Sequence, residues 1–151
     1  ALRPAFDAAI AANPAISVVA EGESFYQQAL GLKAAQDMLV AHPDIDVIVG
    51  ADQAVLGALT AAQGAGVADK VRLVGYGGGQ AGLDSVKAGT QFGTVMQLPA
   101  SEGRLGVEQL ISAIRSGTPS EGMDPLAQLP DGGVVTKDNV DQFLTLAEWP
   151  G

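Results

Sequence analysis

Short runs of β-branched and apolar residues alternate along this chain with longer Ala- and Leu-rich segments whose apolar residues recur at helical spacing. That alternation narrows the fold more than any other feature, because both textures are buried together when a parallel sheet is covered by helices. The strand-like runs are ISVVA (16–20), DVIVGA (46–51), VRLVGY (71–76), FGTVMQ (92–97) and a short VVT (134–136). Between them the spacing predicts helices. The first carries Phe6 and Ile10 and stops at Asn13-Pro14. The second runs from Phe25 to about Ala41 with Leu30, Ala34, Met38 and Leu39 on its inner stripe, and the third from Asp52 to Gln63, ended by Gly64 and Gly66. A short helix from Ala81 to Ala88 is stopped by Gly89. A longer one is capped by Ser101 and lined by Leu105, Leu110, Ile111 and Ile114 as far as Arg115. After a Gly- and Pro-dense loop, NVDQFL (139–144) reads as one or two last helical turns.

The predicted class is therefore α/β with a doubly wound parallel sheet. Such a domain opens with a central strand, whereas this sequence begins inside a helix, so the expectation is a fragment or a C-terminal part whose first strand comes from elsewhere.

Composition excludes several functions. A formal charge of −9 on 151 residues, with only eight Lys and Arg, offers no basic surface for nucleic acid. No apolar run approaches the roughly 20 residues of a membrane helix, so membrane insertion is not expected. The absence of cysteine removes disulfides, thiolate metal sites and cysteine nucleophiles. The single histidine, His42, stands in the helix-ending phrase AHPD, where a solvated helix terminus accounts for it. No metal or cofactor is expected. Asp52, Asp84, Ser101 and Glu102 have no spacing that forms an acid/base or nucleophile motif, so catalysis is not expected either.

The stretch VGYGGGQAG (74–82) contains G-x-G-x-x-G at Gly77, Gly79 and Gly82. A dinucleotide loop belongs to the first strand of its unit and needs an acid at the end of the next strand, and here that strand ends in Met96-Gln97. A phosphate loop ending in Gly-Lys-Ser/Thr is also absent. Two readings remain, a turn that uses glycine for positive φ and one wall of a ligand pocket beyond the carboxyl ends of the strands. The pocket reading selects loops 21–26, 51–54, 77–81 and 97–101.

The order of phrases LVAHPDIDVIVGADQAVLGAL, VRLVGYGGG and GTVMQLPASEG resembles the second half of periplasmic sugar-binding proteins of the ribose/galactose class, the type I solute-binding components of ABC importers. The resemblance implies two flavodoxin-like lobes closing on a small sugar or related neutral ligand, with no enzymatic activity. It implies that residues 1–97 form most of the C-terminal lobe. Residues 98–133 would be a crossover helix and loop packed on the N-terminal lobe, and residues 134–151 the returning hinge strand and final segment. The implied partners are the ligand, the N-terminal lobe of the same protein or a second copy, and an ABC permease. The implied location is periplasmic or extracellular, membrane-associated through the transporter. The same fold serves as the effector domain of LacI-type transcription regulators, which is the alternative function.

Carried over residue by residue, the resemblance places Tyr26, or its neighbour Phe25, as the aromatic that stacks on a sugar face, and Gln97 as the hinge-proximal glutamine. Three anchors depart from the family pattern: Ala51 replaces an asparagine, Gly77 replaces an aspartate, and Leu2 stands where an arginine is expected, with Arg3 a possible substitute. Asp52, which follows Ala51, is expected to cap its helix. Lost hydroxyl partners each cost roughly 1–3 kcal/mol in a buried pocket, so either Gln53, Gln80, Glu21 or Glu23 replaces them or the ligand is larger or less polar than an ordinary pentose.

Overall fold

The computed structural model describes residues 2–127 and 129–151, and the side chain of Leu2 falls outside what is described. The helices are α1 (Leu2–Ala11), α2 (Gln28–Ala41), α3 (Asp52–Gly64), α4 (Gln80–Ala88) and α5 (Pro99–Ser116). The strands are β1 (Val47–Val49), β2 (Arg72–Val74), β3 (Gly93–Val95) and β4 (Val134–Thr136). They form one sheet in the order β1-β2-β3-β4; the first three are parallel and β4 returns antiparallel to β3. The α/β class is as expected, with a sheet dominated by parallel pairing.

Register decides which face is buried. Ile48, Leu73, Thr94 and Val135 share the side toward the core, where Leu73, Thr94 and Val135 are at most 2% exposed. On the other side Val47, Val49 and Val134 are in water. Helices thus cover one face of the sheet, and the second layer of a doubly wound fold is not supplied by these residues. Two apolar clusters make up the core. Ala35, Leu39, Val55, Ala58 and Leu73 belong to one, and Leu83, Val86, Met96, Val135 and Phe143 to the other.

Several expectations change at this level. ISVVA is not a strand: Ile16, Val18 and Val19 are exposed and form no β-pairing among the described residues. Residue type makes a strand possible, but a hydrogen-bonded partner is what forms one. The buried stripe of α2 is Gly31, Ala35 and Leu39 rather than Leu30, Ala34 and Met38. The glycines explain the shift. A Cβ on Gly31 would lie 2.5 Å from the backbone of Ala54, and one on Gly57 would lie 2.5 Å from Leu32 N, so α2 and α3 touch backbone to backbone. Helix α5 begins at Pro99, its cap position is Leu98, and Ser101 sits inside its first turn rather than capping it. None of its residues is buried, and Leu110, Ile111 and Ile114 are exposed.

Candidate functional site

The strands' carboxyl ends are organised by the glycine segment that links β2 to α4. Gly77 N donates to Val95 O at 2.9 Å and Gln97 N donates to Gly77 O at 2.9 Å, which carries the β2–β3 pairing past the end of both strands. Gly77 has φ +148° and Gly78 φ +64°, conformations that favour glycine. The Asp52 carboxylate is buried beneath this segment. It accepts from Gly78 N at 2.7 Å, Thr94 Oγ1 at 2.7 Å and Gln91 Nε2 at 3.1 Å. Asp52 was expected to cap α3 and does not, since the cap position is Ala51 and no side chain bonds there. Three donors from other elements outcompete the local amide and let a buried charge go without a cation.

A phosphate finds little here. The N–H groups of Gln80 and Ala81, which open α4, donate to Trp149 O and Pro150 O at 3.0 Å each, and Gly78 N is held by Asp52. The donors that make a helix N-terminus an anion site are already occupied.

Above this base stands a polar and aromatic group. Gln97 Nε2 donates to the Tyr76 hydroxyl. Burial pushes the Tyr76 phenol above its ordinary value, and the neighbouring phenol of Tyr26 and carboxylate of Glu102 add to the rise. Tyr76 and Gln97 are thus joined directly at the ends of β2 and β3. Phe25 and Tyr26 have φ +48° and +58° and are 65% and 62% exposed. They lie in a turn closed by Gln27 N donating to Ser24 O at 2.8 Å, which is why α2 starts at Gln28 rather than Phe25. Two aromatic residues held at positive φ on the surface are strained by about 1–3 kcal/mol each, a cost that functional loops often carry.

The remaining sequence-selected positions divide. Ala51 and Gly77 sit at the ends of β1 and β2, on the same rim as Gln97. Arg3 does not join them. Its guanidinium is committed to Glu21, at 2.9 and 2.8 Å, and to Asp7 at 2.7 Å, all on the surface. That hydrogen bond from Arg3 also holds the Glu21 carboxyl below its usual range. A groove between residues 20–23 and α2, lined by Glu21, Lys33, Met38 and His42, involves none of Tyr76, Gly77 or Gln97.

Residue-by-residue reading did not select Tyr76, Glu148 or Trp149. Tyr76 was visible as the one aromatic inside the glycine stretch. Trp149, the single tryptophan, was visible only as a rarity. Its indole Nε1 donates to Gly77 O at 3.2 Å, and the adjacent Glu148 carboxylate accepts from Ser101 N at 2.9 Å and from the Ser101 hydroxyl.

Comparison with known proteins agrees with this architecture. The family model described as periplasmic binding protein domain matches residues 2–118. A ribose import binding protein of Salmonella typhimurium is 39% identical over 104 residues, 68% of this chain and 34% of that protein. An ABC transporter solute binding protein from Agrobacterium vitis with bound D-fucose superposes with a TM-score of 0.75 at 31% identity, covering 92% of this chain and 47% of that one. A periplasmic solute binding protein from Actinobacillus succinogenes with bound D-allose gives a TM-score of 0.74 at 28% identity, covering 89% and 46%. The chain thus spans about a third of the length of the curated relatives it matches, and it belongs to the periplasmic binding protein domain family.

Proposed function

We propose that this chain is the ligand-binding lobe of the solute-binding component of an ABC importer, taking a small neutral sugar or polyol in a cleft between two lobes. The observation that carries this reading is the pairing of Gln97 with the Tyr76 hydroxyl at the carboxyl ends of β2 and β3, on the rim to which the exposed Tyr26 of the turn before α2 is assigned. An aromatic face suits the apolar C–H face of a sugar, and a glutamine both donates to and accepts from hydroxyls. Phe25 is the second exposed aromatic of that turn, and Ala51 and Gly77 bring no polar side chain to the ends of β1 and β2. Arg3 is left out of the site because it is held on the surface by Glu21 and Asp7.

The second lobe is supplied by other polypeptide, either the N-terminal portion of the same protein or a second copy. The unburied α5 stripe and the open sheet face at Val47, Val49 and Val134 are apolar surface of the kind that docks another element. Residues 98–133 then cross to that lobe and 134–151 return, in keeping with β4 pairing on β3 and Phe143 lying fully in the core. The assembled protein works outside the cytoplasm and delivers its ligand to a membrane permease without chemical change.

Ligand stabilises a folded receptor by mass action, about 2.7 kcal/mol at a hundredfold excess over Kd. The thermal midpoint of the full-length protein is expected to rise saturably with at least one of D-ribose, D-allose, D-fucose or myo-inositol. If none produces a shift and the purified protein carries no small molecule by mass spectrometry, the reading fails.

A further inference from the structure

We infer that Trp149 is a specificity-determining wall of the ligand cleft, standing in the place a side chain at position 77 would occupy and selecting ligands that present an apolar C–H edge there. The inference rests on the proposed function, and three observations carry it.

The first is space. A Cβ built on Gly77 would lie 2.8 Å from Trp149 Cζ2 and 3.3 Å from Cη2, with Asp52 Oδ2 at 3.1 Å on its other side. Together with φ +148°, this makes residue 77 a glycine by construction, and the volume in front of it belongs to the benzo edge of the indole. The second is fixation. Trp149 Nε1 donates to Gly77 O, while Trp149 O and Pro150 O receive Gln80 N and Ala81 N. A Cβ on Gly79 would lie 2.8 Å from Gly151 Cα, so glycine there admits the segment. Glu148 is pinned to the first turn of α5 through Ser101. The indole is therefore held through its Nε1 and through its own backbone, yet Trp149 remains partly exposed.

The third is the state of the nearby acceptors. Gly77 O already receives two N–H groups, from Gln97 and from Trp149. The Asp52 carboxylate is fully buried and receives three donors. A ligand hydroxyl directed at this end of β2 finds both acceptors engaged and meets an aromatic edge. A C–H or methyl group is accommodated there, and a hydroxyl loses its water without replacement.

The test uses the full-length protein, W149F and W149A, with two sugar pairs that differ at one polar position: D-fucose against D-galactose, and 2-deoxy-D-ribose against D-ribose. For the pair that binds, the wild type is expected to prefer the less polar member. W149F should keep that preference, and W149A should shift the affinity ratio toward the more polar member by about three- to tenfold, the range of an aromatic contact. The emission that the wild type has and W149F lacks isolates Trp149, and it is expected to change saturably with the bound sugar even if W149A fails to fold. Ligand binding with that emission unmoved, or with the same ratio in all three proteins, overturns the assignment of Trp149 and leaves the proposed function standing. If no sugar binds the wild type and none copurifies, both fall together.

Discussion

The hydroxyl of Thr94 donates to the carboxylate of Asp52 at 2.7 Å, joining residues 42 apart in sequence, both fully buried. Through this bond the first residue of α3 is tied to the centre of β3, and the same carboxylate holds the glycine segment by Gly78 N. Replacing Asp52 by Ala leaves the buried donors Thr94 Oγ1 and Gly78 N without their acceptor and takes one of two acceptors from Gln91 Nε2, which keeps Gly93 O. The expected loss is about 3 kcal/mol, since each orphaned buried group costs about 1–3 kcal/mol and relaxation recovers part of it. Asp52→Asn should cost less, because one amide oxygen still accepts. Urea denaturation with an unchanged m value measures both.

Gly77→Asp introduces the acid that the family resemblance leads one to expect, and it should not improve sugar binding. The new Cβ meets Trp149 and Asp52 at an unfavourable φ. We expect destabilisation of about 2 kcal/mol or more, from strain and overpacking together. A tighter sugar complex in this variant at unchanged stability would contradict the packing described above.

Gly31→Ala and Gly57→Ala act at the α2–α3 crossing, where an added methyl would strike the partner helix's backbone. Each is expected to cost about 1–3 kcal/mol by overpacking, and the thermal midpoint should fall by several degrees at the roughly 2–4 °C per kcal/mol typical of this size. By contrast Gly64→Ala, where nothing lies within 4 Å, should leave the midpoint unchanged or slightly raised.

Burial alone would push the Glu148 carboxyl up, but the hydrogen bonds from the Ser101 hydroxyl and the N–H groups of Ser101 and Ala100, with the charge of Arg104, hold it below its ordinary value. A carboxyl depressed in the folded state contributes stability that is present above its unfolded value and is lost as pH falls through the folded one. The stability difference between wild type and E148Q is therefore expected to be constant near neutrality and to shrink as the solution is acidified below about pH 4. A difference that does not change over that range would mean that Glu148 does not bind α5 as a carboxylate.

Tyr76→Phe and Gln97→Ala remove the two sides of one hydrogen bond at the proposed ligand rim. Each single change should weaken sugar binding about tenfold, and the double variant should fall short of the sum, because residues in contact couple. Isothermal titration with the sugar that stabilises the wild type reads all three. Additive losses would separate the two residues' roles.

The legible part of this molecule is its local part. Helices α3, α4 and α5 and strands β1 to β4 lie within a few residues of where periodicity and glycine punctuation put them. Those signals arise from neighbours three, four or two positions away. ISVVA reads as a strand by composition and has no pairing partner among the described residues. Asp52 reads as a cap by position and is taken instead by donors 26, 39 and 42 residues away. Phe25 and Tyr26 read as the opening of a helix and are held in a turn at positive φ.

By itself the sequence determined the strand–helix alternation, the acidic balance and the absence of thiol chemistry. All of these follow from residue type and short-range spacing. Only the tertiary structure decided what the glycine segment is for. Trp149 reaches Gly77 O across 72 residues, and Asp52 fills the space beneath Gly75 and Gly82. Side chains distant in sequence meet there because the sheet closes around them. Such contacts are set by packing among elements, and residue order along one element carries no record of them.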